Sequence, residues 1–132
     1  MAVVPIVRYM ILCEEWRMSL HNPNGVDILG LLSNIHPFGG PLYPVYWGDL
    51  CVFLCVTSGF GQGEGHIRCV FEDTEQTIFR TPNRPITFPK DPLKVIAMPF
   101  RIRHCVFPYP GLYSIQFWYE GQKIEERPLR VR

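Results

Sequence analysis

Helical periodicity is missing from this chain of 132 residues. No segment carries a sustained 3.6-residue apolar repeat bounded by caps, which argues against a helical domain. Bulk charge is missing as well. The formal net charge is +1, so a nucleic-acid or acidic-membrane role has no electrostatic support. No uncharged apolar run approaches the ~20 residues that a membrane helix needs. Met1 to Cys13 is apolar, but it lacks a basic start and a small-residue cleavage site, so a signal peptide is not expected.

Cysteine knuckles are also lacking. The five cysteines are Cys13, Cys51, Cys55, Cys69 and Cys105. An odd number without a secretory signal predicts reduced, buried thiols and a cytoplasmic protein. Cys51 and Cys55 lie four residues apart. On a strand that separation spans about 13 Å, too far for two ligands of one zinc ion. No metal and no cofactor is expected.

Turn formers and strand formers are abundant. Thirteen prolines and eleven glycines punctuate short β-branched and aromatic runs. The spacing predicts strands over Val7–Trp16, Val26–Asn34, Val45–Thr57, His66–Glu72, Gln76–Arg80 and Lys94–Phe107. Pro99 either interrupts the last of these or places it at a sheet edge. His21–Gly25 reads as a turn, Gly30 as a bulge, and Pro37–Pro41 with Pro44 as an irregular connection. Gly59–Gly65 reads as a mobile hairpin loop. It resembles a dinucleotide fingerprint only superficially, because a strand follows it and not a helix. Thr81–Pro92 reads as extended.

The closing segment, Phe107 to Gly121, is a Pro-Gly turn, an alternating aromatic strand and a Glu-Gly turn. Alternation puts Tyr113, Ile115, Phe117 and Tyr119 on the core face. Leu112, Ser114, Gln116 and Trp118 then face outward, where a large indole needs a cover or a partner. In the last strand Ile124 is out of phase with Leu129 and Val131. Either a bulge near Glu126–Pro128 supplies one extra residue, or Ile124 points outward. Cys51–Val56 is apolar on both faces. It needs cover from 81–92 or 35–44, or it lies in a subunit interface.

Pro110-Gly111-Leu112-Tyr113 resembles the turn entering the penultimate strand of immunoglobulin-like domains, where the tyrosine bonds back to the backbone. Most of the chain also resembles a family of small uncharacterised bacterial proteins, a domain of unknown function. Three parts carry that resemblance: Ile11–Glu14; Asn24–Gly30; and Phe107–Gly121 with Glu126–Val131. It implies a bacterial source and no catalytic residues.

The resulting expectation is one all-β domain over 1–132, an antiparallel two-sheet immunoglobulin-like sandwich of about eight strands. The expected function is a non-catalytic interaction module that self-associates or binds a protein partner. The alternative is a binding protein for a small or anionic ligand, using the 59–65 loop with the late arginines or the aromatic set. An enzyme would need His66 or His104 to meet a cysteine or carboxylate. Paired-carboxylate chemistry would need Glu14 or Glu15 to meet Asp27 or Asp49. Candidate binding residues are the aromatics Trp118, Trp47 and Tyr46 and the same-face pair Arg101 and Arg103. Arg127, Arg130 and Arg132 extend the late basic cluster, with Glu125 and Glu126 as cross-strand partners.

Overall fold

The computed structural model describes residues 3–36 and 43–132. The expected connection at 37–42 lies outside the described residues. Ten strands form: β1 (Ile6–Met18), β2 (Val26–Leu31), β3 (Asn34–Ile35), β4 (Val45–Thr57), β5 (Gln62–Phe71), β6 (Gln76–Arg80), β7 (Arg84–Thr87), β8 (Ile96–Phe107), β9 (Gly111–Tyr119) and β10 (Gln122–Val131). One sheet has the order β2-β1-β4-β8. The other has the order β3-β10-β9-β5-β6, with β7 also paired to β5. The inner faces meet in a core that includes Leu50, Leu54, Ile67, Phe107, Tyr113, Ile115, Phe117 and Leu129.

Several expectations change. The described residues hold ten strands and not about eight, because two short strands carry no periodicity of their own. The 26–34 segment divides between sheets, with β3 pairing parallel to β10, so the sandwich is not wholly antiparallel. Gly30 takes φ 66, yet the β1–β2 register passes it without a shift. The bulge in β10 falls between Lys123 and Glu125, ahead of the expected 126–128. Ile124 packs against the core there.

The Gly59–Gly65 stretch is a strand from Gln62 onward. Gly63 and Gly65 are glycine because the Tyr119 and Phe117 rings of β9 lie against the backbone, and a Cβ would collide with them. The 84–87 strand pairs with the same part of β5 and sends Ile86 into the core, as the chain does with Phe88 just beyond.

Other expectations hold. β8 is an edge strand, so Pro99 costs no ladder bond on its free side. Tyr113, Ile115, Phe117 and Tyr119 are all buried. The Tyr113 hydroxyl donates to the Tyr109 carbonyl at 2.6 Å and accepts from the Tyr109 N–H at 3.1 Å. That pair of bonds ties the turn to the strand it feeds, as a tyrosine corner does.

A crease crosses the four-stranded sheet. In β4, Val45 is buried, and then Leu50, Val52, Leu54 and Val56 are the fully buried even positions. In β8, Met98, Phe100 and Ile102 are buried, and then Cys105 and Phe107. Both strands therefore change phase between the Trp47–Cys105 and Asp49–Arg103 pairs. Gly48 and His104 occupy the gap, and His104 takes φ 58. The phase change opens a groove on the outer face.

Candidate functional site

The outer face of the four-stranded sheet is built in cross-strand rows. Tyr9, Cys55 and Ala97 form one; Ile11, Phe53 and Pro99 the next; Leu31, Cys13, Cys51 and Arg101 a third. One step on, Leu29 pairs with Glu15 and Asp49 pairs with Arg103. The face thus runs from apolar rows into a charged row beside the crease.

Glu14, Glu15, Leu29, Trp47, Gly48, Asp49, Arg101 and Arg103 line a groove of about 650 Å³ at that charged end. Trp47 is held there by its indole N–H, which donates to the Asp49 carbonyl at 3.0 Å. Carboxylates come from β1 and β4, and guanidiniums from β8. None of these charged groups is ion-paired among the described residues. Of the five expected binding residues, Trp47, Arg101 and Arg103 converge. Glu14, Glu15 and Asp49 join them, because the strand order β1-β4-β8 brings their ends level.

Tyr46 does not converge. It is 77% exposed beyond the crease and pairs with Val106. The late arginines also divide. Arg127, Arg130 and Arg132 belong to the other side of the sandwich, where Glu125 pairs with Arg127 on its own strand at 3.2 Å and Glu126 pairs with Lys123 at 3.0 Å. The expected cross-strand acid–arginine pairs are therefore not formed among the described residues.

Cys51, Phe53 and Cys55 point outward and are still buried. Of the two expected covers, Ile86, Phe88 and Ile35 enter the core between the sheets, and Arg84 reaches only the β8 edge, where it donates to the Pro99 carbonyl. Neighbouring side chains shield this face instead, with the Trp16 ring 5.9 Å from Phe53 and Arg8 Nε donating to Thr57 Oγ1 at 2.8 Å.

Trp118 lies on the outer face of the six-stranded sheet, as alternation requires, and it is half-buried. The Arg68 guanidinium caps it at 3.9 Å from the ring centroid. The His66 ring lies nearly parallel to the indole, with centroids 6.1 Å apart. The indole N–H donates to Gln116 Oε1 at 2.8 Å, Gln116 Nε2 donates to Ser114 Oγ at 3.2 Å, and the Ser114 hydroxyl donates to Glu126 Oε2 at 3.1 Å. Lys123 donates to the same Glu126 oxygen and holds that carboxyl below its ordinary range. Arg68 and Arg80 sit directly opposite each other on β5 and β6. This constellation was not anticipated, although His66-Ile67-Arg68-Cys69 alternates polar and apolar and puts His66 and Arg68 on one face.

The cysteines and histidines are scattered. Cys69 and Cys105 are in the core, while His66 faces outward. All five thiols are free and buried. Burial pushes Cys51 up to about 12 and Cys105 up to about 11, and it raises Cys13, Cys55 and Cys69 too. No group of three potential metal ligands occurs among the described residues, and no described helix is long and apolar enough to cross a membrane.

Fold and surface together define an all-β sandwich with two differently equipped outer faces. The chain belongs to the family of unknown function DUF6941, whose model matches residues 8–132. No curated protein matches it.

Proposed function

We propose that this protein is a non-catalytic interaction module that self-associates through the outer face of its four-stranded sheet. The carrying observation is the order of residues on that face, with two apolar rows, then a row of Leu31, Cys13 and Cys51 that ends in Arg101, then a charged row. Interfaces have this anatomy, an apolar centre with a charged rim. The charges also change sign across the sheet, from Glu15 and Asp49 to Arg103 and Arg101. A two-fold axis along the strands, between β4 and β8, sets Asp49 of one copy over Arg103 of the other. The face is thus complementary to itself, as an isologous dimer requires.

The non-catalytic part of the reading is supported by thiols held in their unreactive form and by histidines that meet none of them. Five free thiols support a reducing, cytoplasmic setting. The strand order around β9 and β10, together with the Tyr113 corner, supports the immunoglobulin-like assignment. The bacterial source implied by the resemblance belongs to the same reading.

Sedimentation equilibrium over a wide concentration range tests it. The expected result is a monomer–dimer equilibrium. Arg103→Asp should weaken it on the order of tenfold or more, since like charges facing across an interface are costly. Adding Asp49→Arg to that variant should restore it. A monomer at every concentration, or a dimer indifferent to Arg103→Asp, overturns the proposal.

A further inference from the structure

The outer face of the six-stranded sheet holds positive charge that nothing in the described chain neutralises. Register aligns Arg80, Arg68, Gln116 and Glu126 in one row across four strands. Glu126 is separated from Arg68 by the whole width of β9, and Lys123 and Ser114 already engage it. Among the described residues neither Arg68 nor Arg80 forms an ion pair. Like charges directly opposite on paired strands are destabilising. Packing on the indole accounts for Arg68, but it supplies no reason for a second guanidinium opposite it at Arg80.

The two arginines are also positioned. Arg68 lies flat on Trp118, and its Nη2 stands 3.2 Å from His66 Nε2. Arginine has only donors, so Nε2 accepts and the ring proton sits on Nδ1. Arg68 Nε is buried and has no partner among the described residues. Arg80 Nη2 donates to Asn83 Oδ1 at 3.0 Å, which leaves the Asn83 amide protons free to donate onward. The group offers two guanidinium forks and an amide donor. Its central arginine has already lost much of its rotamer freedom to the indole. Guanidinium forks match the oxygens of phosphate, and pre-ordering lowers the entropy lost on binding.

We propose that Arg68, Arg80 and Asn83, on the Trp118–His66 platform, form a binding site for a phosphate or phosphate-monoester group. This goes beyond self-association and uses the opposite sheet, so the two readings fail independently. The test is an NMR titration of the ¹⁵N-labelled full chain with inorganic phosphate, and separately with phosphoserine, against chloride at equal ionic strength. Saturable shifts of the Trp118 indole and Arg68 Nε–H signals are expected. Both anions should do this if any phosphoryl group suffices, and phosphoserine alone if the ester is needed. Arg80→Gln alters an exposed side chain and should weaken binding on the order of tenfold or more. Arg103→Asp should leave it unchanged. Shifts that do not saturate, that chloride or acetate reproduces, or that survive Arg80→Gln at full affinity overturn the assignment.

Discussion

The Arg68 guanidinium lies 3.9 Å from the centroid of the Trp118 indole, and the His66 ring stacks beside it. A cation over an indole face is favourable by about 0.5–2 kcal/mol, depending on desolvation. The outward tryptophan therefore has a cover, made by Arg68 and His66 of the next strand. Two histidine neighbours now carry charge, and that has a measurable consequence.

Burial lowers the His66 pKa from its ordinary 6.5, and the charges of Arg80 and Arg68 lower it further, partly offset by Asn83. Glu64 on its own strand, and Lys123 and Glu126 on β10, are the other charged groups on this face. At neutral pH His66 is therefore uncharged in the fold, and as pH falls it protonates more readily in the unfolded chain. Its contribution to stability is complete above about pH 6.5 and is lost as pH falls from there toward the folded pKa. His66→Gln should flatten the pH dependence of the urea midpoint between about pH 7 and 5. An equally steep dependence in the variant would remove His66 as its source.

Side-chain alternation made β9 legible from residue types alone, because Tyr113, Ile115, Phe117 and Tyr119 keep strict parity. The groove was half legible. Arg101 and Arg103 share a face by their spacing, but Glu15 and Asp49 reach them only through the order β1-β4-β8, which local pattern does not encode. The crease was invisible, since it depends on Gly48 and His104 changing phase opposite each other. Arg80 was missed for a related reason. It faces Arg68 only after the β5–β6 pairing shifts register between Cys69 and Val70.

The misread glycines give the next prediction. Gly63 resembled a loop residue because the reason for it lies on β9, more than fifty positions away. There the Tyr119 ring and hydroxyl occupy the space a Cβ would take. Gly63→Ala should destabilise the protein by about 1–3 kcal/mol, as other overpacked core positions do. Tyr119→Leu in the same chain should recover part of the loss, giving a non-additive cycle in chemical denaturation. Gly61, whose Cβ would meet nothing, is the control for backbone strain at its φ of 72. Additivity between Gly63→Ala and Tyr119→Leu would show that ring contact is not the reason.

The five thiols supply a prediction on the alkaline side. Desolvation raises each folded-state pKa above the ordinary 9.0, to about 12 for Cys51 and about 11 for Cys105. The unfolded chain therefore gives up thiol protons first as pH rises. Stability should hold below about pH 9 and fall progressively from there toward 11–12. Only the thiolate reacts with an aromatic disulfide reagent, so the folded protein should react slowly at every cysteine near neutral pH. Full labelling should appear only on unfolding, at a rate set by global opening. A single thiol that labels quickly in the folded protein would contradict the burial of that cysteine. It would also favour a reactive site over the non-catalytic role proposed above.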